Sequence, residues 1–271
     1  MHYLAIDVGA TKTLAAVFSA AGKPLRRRKI KTSVDYAGFL GDLREILESP
    51  EFKQYEFSAV CCAVPGKVNH ADGSGIDFGN LPWHNVPVAR DIAKLAASKV
   101  FVENDAKLAG LFESLTHKKY KKLLYLTLST GIGSGLIVNG KIDPELDDSE
   151  AGRMVLEHEG KLKRWEEFAS GKALYERFGK KAEQLDNPFA WKSYARDVAR
   201  GLGALLAVLQ PDAVIIGGSV GAHLEKFDEP LKQELKKNTD RMVAIPPIIK
   251  AVKAEEAVIY GCYEYIRQQI G

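Results

Sequence analysis

Two stretches of this chain are built to one plan, and that repetition constrains the fold more than any other feature. Residues 3–8 form an apolar run that closes in Asp7-Val8-Gly9-Ala10-Thr11-Lys12-Thr13, and residues 14–18 resume as a second run. Residues 122–128 close in the same way in Ser129-Thr130-Gly131-Ile132-Gly133-Ser134-Gly135, and the chain continues apolar to Val138, where Asn139-Gly140 signals a further hairpin. Short aliphatic and aromatic runs of this kind are strands, so each stretch reads strand, Thr/Gly turn, strand. A dinucleotide fingerprint would have to open a helix, and a Walker A loop would close in Gly-Lys-Ser/Thr; neither condition is met. Turns of this composition can aim backbone N–H groups and hydroxyls at phosphate oxygens. Gly9, Thr11, Thr13 and Lys12 are placed to do so in the first turn, and Thr130, Gly131 and Gly133 in the second. Asp7 can hold a hydrated Mg²⁺; a plain hairpin would use the same glycine, but an Asp at an apolar strand end is costly without a partner. Two such hairpins predict two similar α/β halves with a nucleotide in a cleft between them.

A second signal lies in Val100-Phe101-Val102-Glu103-Asn104-Asp105-Ala106-Lys107-Leu108-Ala109-Gly110. A short apolar strand ends here and a helix begins, which puts Asn104 and Asp105 at the end of a parallel strand, where ligand crevices open. The helix N-terminus carries partial positive charge, so a carboxylate there stays ionised and can accept a proton. The same two residues would also serve as an ordinary helix cap.

The remaining segments fill in the two halves. Residues 24–32 read as a strand, 35–49 as an amphipathic helix, and 58–64 as a buried strand broken by Pro65-Gly66, which exposes main-chain amides to a ligand. Residues 78–83 read as a loop and 86–98 as a helix, with Pro87 in its first turn. A polar loop at 147–152, helices near 165–178 and 189–210, and a strand at 213–216 ending in Gly217-Gly218-Ser219 make up the second half. That glycine turn can admit a base or ribose. A closing helix over 255–269 is expected to pack back on the first half, giving domains of 1–106 (completed by 255–271) and 107–254.

Composition narrows the function class. With 46% hydrophobic and 27% charged residues and a formal charge of +3, nothing requires nucleic acid or an anionic membrane as partner. The clusters Arg26-Arg27-Arg28-Lys29 and Lys118-Lys119-Tyr120-Lys121-Lys122 read as solvated charge. Cys61, Cys62 and Cys262 form no disulfide framework and no zinc-spaced pair. The start of the chain runs into a strand without the basic and apolar regions of a signal peptide, and no 18-residue apolar segment occurs, so a cytoplasmic location is expected.

Taken together and in order, these pieces resemble the ROK family of bacterial sugar kinases within the actin-like ATPase superfamily. The resemblance is carried by Asp7-Val8-Gly9-Ala10-Thr11-Lys12, Val64-Pro65-Gly66, Asn80-Leu81-Pro82-Trp83, Glu103-Asn104-Asp105, the 129–135 turn, Glu150-Ala151-Gly152 and Ile216-Gly217-Gly218, over nearly the whole chain. It implies two actin-like (ribonuclease H-like) α/β domains with an interdomain active-site cleft, ATP and Mg²⁺ as cofactors, and a hexose, most simply glucose, as acceptor. It also implies that Asp105 is the general base, that Gly66, Asn80 and Asn104 position the sugar, and that Glu150 and Glu167 hold its other hydroxyls, with Arg153 a candidate beside them. Glu167 falls in Glu167-Phe168-Ala169-Ser170-Gly171, similar to the family's Glu-x-x-x-Ser-Gly. Gly217 and Gly218 belong to the nucleotide side, and many relatives form homodimers.

The chain departs from the family at two places. Arg153 stands where most members carry a histidine, and the segment His158-Glu159-Gly160-Lys161-Leu162-Lys163-Arg164-Trp165 lacks the family's zinc-binding cysteines. No zinc is expected, and His158 is expected at the surface. Arg153 offers only donors and a permanent charge, so it either selects another hydroxyl pattern or an acidic sugar, or pairs with Glu150. Some zinc-free relatives use polyphosphate as donor, and an N-acetylhexosamine is an alternative acceptor. A sensor that binds sugar without phosphorylating it is the other class. The family's repressors carry an N-terminal DNA-binding domain, for which the position of the first hairpin is expected to leave no room.

Overall fold

The computed structural model describes residues 1–253 and 256–271 of the chain, which divides into two compact units, Met1–Phe112 with Glu256–Gly271, and Glu113–Glu255. The position 254 proposed as a domain limit, and Glu255 as the first residue of the closing helix, lie outside the described residues. Among the described residues no helix is long and apolar enough to cross a membrane.

In the first unit, β1 (His2–Val8), β2 (Lys12–Ser19), β3 (Pro24–Lys31), β4 (Phe57–Val64) and β8 (Val100–Asn104) form a five-stranded sheet in the order β3-β2-β1-β4-β8. β1, β4 and β8 run parallel, while β2 and β3 return antiparallel. Parallel strands covered on both faces read as unbroken apolar runs, and Tyr3–Ile6 and Ala59–Val64 are buried accordingly. One face is covered by α1 (Tyr36–Glu48), the short α2 (Pro50–Lys53) and α3 (Val88–Ala96). The other face receives α10 (Ala257–Ile270): the Tyr263 ring stacks on Phe18 and its hydroxyl donates to the Ala20 carbonyl at 2.8 Å.

The segment expected as a loop around residues 78–83 is instead part of a three-stranded antiparallel sheet of β5 (Lys67–Asn69), β6 (Ser74–Phe78) and β7 (Leu81–Val86). Leu81 and Trp83 alternate inward, and the Trp83 indole donates to the Val34 carbonyl at 2.8 Å while packing on Tyr36, Phe39 and Phe78. α3 is shorter than the expected 86–98, because Pro87 is its cap and Ala97 turns left-handed at φ +49°.

The second unit repeats the plan. β9 (Lys122–Leu128), β10 (Ile132–Val138), β11 (Lys141–Ile142), β14 (Ala213–Gly217) and β15 (Ile248–Lys250) form a sheet in the order β11-β10-β9-β14-β15, with β9, β14 and β15 parallel. The helix α4 (Asp105–Thr116) leads into this unit, and the limit between the units, at Phe112/Glu113, falls within it.

α7 (Pro188–Leu209) packs on this sheet beside α9 (Asp228–Asn238), burying Trp191, Tyr194 and Phe227. The helix expected at 165–178 is two pieces, α5 (Glu166–Ala169) and α6 (Gly171–Phe178), because Ser170 is extended and caps α6 through the Ala173 amide. The stretch that lacks zinc-binding cysteines is an antiparallel ribbon of β12 (Val155–His158) and β13 (Lys161–Arg164). His158, expected at the surface, is buried at 5% exposure against α7. The Gly217-Gly218 turn opens a single helical turn, α8 (Gly218–Gly221).

Candidate active site

In the first unit the parallel strands deliver the expected groups to one edge of the sheet. The register pairs Asp7 with Ala63, Ala63 with Glu103, and Val64 with Asn104. Asp7, the Pro65-Gly66 turn and Asn104-Asp105 therefore leave the carboxyl ends of β1, β4 and β8 side by side, the end where loops and helix N-termini meet ligands.

The buried Asn104 side chain does two things there. Its Oδ1 accepts from the amides of Ala106 at 2.9 Å and Lys107 at 3.2 Å, capping α4, while its Nδ2 donates to the Gly66 carbonyl at 2.9 Å. Gly66 has φ +81°, and a Cβ on it would lie 2.1 Å from the Asp77 carbonyl oxygen, so the turn tolerates no side chain. Glu103, whose supporting role was missed in the sequence, is buried beneath this arrangement. One of its oxygens accepts the Asn104 amide at 2.7 Å and the other lies 3.2 Å from His70 Nε2. Asp105 is the first residue of α4, and its Oδ1 accepts the Ala106 amide at 2.7 Å. The positive end of the helix favours its ionised form. Asn80 stands exposed at the tip of the β6–β7 hairpin, and no hydrogen bond among the described residues ties it to this edge.

Asp7 is half-buried, and its carboxyl is pushed up to about 7, first by burial and then by the charge of Asp105, with Lys29 pulling the other way. A carboxylate held near another carboxylate in a partly desolvated place fits a divalent cation, whose charge would relieve both costs. Thr11 and Lys12 are exposed in the β1–β2 turn, whose Gly9 amide donates to the Lys12 carbonyl at 3.0 Å. Thr13 differs from expectation. It is buried, its hydroxyl lies 2.9 Å from that of Thr32, and Thr32 in turn donates to the Gly9 carbonyl at 2.7 Å. With the Thr32 proton so used, Thr13 is the donor within the pair. It braces the turn from below and does not reach out of it.

In the second unit three backbone segments converge on Ser129, a residue the sequence reading passed over. Its carbonyl accepts the Gly171 amide at 2.6 Å, its hydroxyl accepts the Ser219 amide at 3.2 Å, and its own amide donates to the Gly131 carbonyl at 3.0 Å. Gly218 has φ +85°, and a Cβ there would lie 2.5 Å from the Leu128 carbonyl and 2.6 Å from the Ser129 hydroxyl. The amides of Ser129, Gly171 and Ser219 are thus spent in joining the β9–β10 turn, the start of α6 and the Gly217-Gly218 turn into one cradle, and it is the Thr130-Gly131 turn so held that is suited to phosphate oxygens. Gly133 lies one step away, inside β10, opposite Thr127 in the ladder.

The acceptor-side residues separate. Glu150 precedes the 3₁₀ turn Ala151–Arg153, whose first amide donates to the Ser134 hydroxyl at 3.3 Å. Arg153 Nε lies 3.8 Å from Glu166 Oε1, so the partner described for Arg153 is Glu166. Glu166 Oε2 comes within 3.0 Å of the place a Cβ would take on Gly131. Glu167 folds away: its Oε2 accepts the Arg164 amide at 2.7 Å and the Arg164 Nε at 3.3 Å, which holds its carboxyl below the usual range. Counting back from Ser170-Gly171, the spacing Glu-x-x-x-Ser-Gly falls on Glu166, a signal the sequence contained.

The profile of the ROK family matches residues 3–269. An N-acetyl-D-glucosamine kinase of Haemophilus influenzae is 25% identical over 96% of this chain and 97% of its own. A crystal structure of a ROK family glucokinase from Streptomyces griseus, in complex with glucose and AMPPNP, superposes with a TM-score of 0.84 at 21% identity, covering 99% of this chain and 100% of that one. That of an inorganic polyphosphate/ATP-glucomannokinase from Arthrobacter superposes at 0.75 with 25% identity, covering 99% of both.

Proposed function

The chain belongs to the ROK family and is a sugar kinase, and from that premise we propose that it transfers the γ-phosphate of ATP to a hydroxyl of glucose or a similar hexose, with Asp105 as general base. The observation that carries this reading is the convergence of Asp105, Asp7 and the Gly66 turn on one sheet edge, with Asp105 at a helix N-terminus. Phosphoryl transfer needs positioning and charge neutralisation more than covalent chemistry. Asp105 takes the proton of the attacking hydroxyl at its carboxylate. Asn104 keeps the start of α4, which carries Asp105, and the Gly66 backbone in fixed relation, since its one carboxamide accepts the Ala106 and Lys107 amides and donates to the Gly66 carbonyl. Lys12, Thr11 and the Thr130-Gly131 turn are assigned to the phosphates. When bound, Mg²⁺ neutralises charge on the phosphate oxygens; Asp7 is the residue we assign to it, through water. Glu150 and Glu166 are assigned to sugar hydroxyls.

A second donor is favoured by one observation. Lys12 pairs across β2–β3 with Lys31, and Lys29 follows on the same face. All three are exposed, and their ammonium groups have no ion-pair partner among the described residues. Such a row leading from the phosphate turn suits inorganic polyphosphate, a chain of regularly spaced negative charge. The deciding experiment is turnover across a panel of hexoses, N-acetylhexosamines and hexuronic acids, with MgATP and with polyphosphate in parallel. Sugar-dependent ADP release with MgATP supports the proposal. Sugar phosphate formed only with polyphosphate replaces the donor, and sugar binding without turnover favours the sensor.

Glu166→Gln is expected to raise the sugar KM about 10- to 100-fold, the loss of a hydrogen bond to a charged group. Glu167→Gln should stay within about twofold, because that carboxylate is occupied by Arg164. Steady-state kinetics on the two variants checks the assignment, and the reverse ranking would return the role to Glu167.

A further inference from the structure

The β12–β13 ribbon has Arg153 just before it and Glu166 just after it. A two-stranded ribbon is marginal by itself, and Val155 and Leu162 of this one are exposed. Something outside the ribbon must hold it, and whatever does so also sets where Arg153 and Glu166 stand against the β9–β10 turn.

That something is a buried polar chain through four elements. Asp197, in α7, is 4% exposed and has a partner for each carboxylate oxygen: His158 Nε2 lies 3.2 Å from Oδ1, and Arg177 Nη1 donates to Oδ2. The backbone carbonyl of Asp197 takes the Trp165 indole N–H at 3.1 Å, and the Trp165 amide donates to the Met154 carbonyl at 2.8 Å. The second Arg177 nitrogen reaches the Phe168 carbonyl at 3.4 Å, and the Phe168 ring stacks on that of His158 at 4.3 Å between centroids. Both ends of the ribbon are thus tied to α5, α6 and α7. His158 Nδ1 is buried without a hydrogen bond, with Glu159 Oε2 at 3.6 Å, so Nε2 is the nitrogen that carries the proton towards Asp197.

We propose that His158, Asp197 and Arg177 are positioning residues for the acceptor sugar, acting by locking the ribbon and, through it, the Arg153–Glu166 pair beside the β9–β10 turn. This rests on the reading of Glu166 as a sugar ligand. A buried carboxylate left with an empty oxygen is strongly disfavoured, so removing the histidine N–H forces Asp197 or the ribbon to move. The phosphate cradle around Ser129 shares none of these bonds: α6 is common to both, but its first residue, Gly171, is held by the Ser129 carbonyl independently of Arg177. The effect should therefore fall on the sugar and spare the nucleotide.

The test uses the full chain and three variants. His158→Phe keeps the stacking on Phe168 and removes the donor; His158→Gln keeps a donor; Asp197→Asn keeps the shape and weakens both partners. His158→Phe and Asp197→Asn are expected to raise the sugar KM about tenfold or more, with kcat and the KM for MgATP within about twofold, and His158→Gln to recover most of the loss. A purely structural role would lower the melting temperature while shifting both KM values or neither. That result, or a His158→Gln variant as impaired as His158→Phe, overturns the inference. If His158→Phe does not fold, Asp197→Asn and His158→Gln decide it by the same ratio. Glu166→Gln measured alongside separates the two assignments. If it is silent, the Glu166 assignment falls while the sugar KM still reads the positioning role. If it is impaired and the His158 and Asp197 variants are normal, the positioning role falls alone. A chain that binds and phosphorylates no sugar overturns both.

Discussion

Replacing Asp105 by Asn is expected to lower kcat by roughly 10²- to 10⁴-fold, the usual worth of a positioned general base, with little change in sugar KM or melting temperature. The substitution is close to isosteric, and the amide oxygen can still accept the Ala106 N–H that Oδ1 accepts at 2.7 Å, so the start of α4 survives. What is lost is the ability to take a proton. Steady-state kinetics beside thermal unfolding separates the two effects. A variant that keeps kcat within about tenfold would place the base elsewhere, and one that unfolds early would make Asp105 chiefly a helix-start residue.

Asp7→Asn should have the second largest effect, and its sign depends on pH. The Asp7 carboxyl titrates near 3.8 in an unfolded chain and at about 7 in the folded one. A carboxyl raised in this way stabilises the fold fully below the lower value, and that contribution is lost as pH rises through the upper one. A shift of about three units corresponds to at most about 4 kcal/mol, less for a half-buried group. Without Mg²⁺, Asp7→Asn is therefore expected to melt above the parent at pH 8 and to lose that advantage by about pH 4. Added Mg²⁺ should stabilise the parent at pH 8 and not the variant, while turnover of the variant collapses. Thermal melts at the two pH values, with and without Mg²⁺, read this directly. A variant that is less stable at pH 8 would mean that Asp7 is already neutralised within the protein.

Much of the architecture was legible because strands buried on both faces leave unbroken apolar runs. β1, β4, β9 and β14 are such runs, and the Thr/Gly turns after β1 and β9 stood out against them. The ribbon β12–β13 was not legible, although Glu159 and Gly160 both sit at positive φ, the signature of a tight hairpin. A Glu in the first of these places is a weak signal compared with Asn or Asp. β7 reads as a loop in the sequence because Pro82 and His84, on its exposed face, mask the alternation of Leu81 and Trp83.

At the site, the residues assigned to ligands lie in local motifs, whereas the residues that hold them in place do not. Thr32 lies far along the chain from the Gly9 turn it braces, and Asp197 lies far from His158. Pairings of that separation leave no local pattern. The assignment of Glu166 rather than Glu167 is different in kind, since counting Glu-x-x-x-Ser-Gly back from Ser170 already gives Glu166.

The last helix belongs to the first unit. On α10, Cys262 is buried, Tyr263 closes over Phe18 and Ala20, and Glu256 pairs with Arg27 on β3. On the ribosome, the sheet of residues 1–112 emerges long before the helix that roofs it. Its Phe18 face must wait, uncovered, while the whole second unit is made, and nascent chains with such faces are what chaperones hold. The order of synthesis and the order of packing thus run against each other, and the first unit cannot close until α10 has been made.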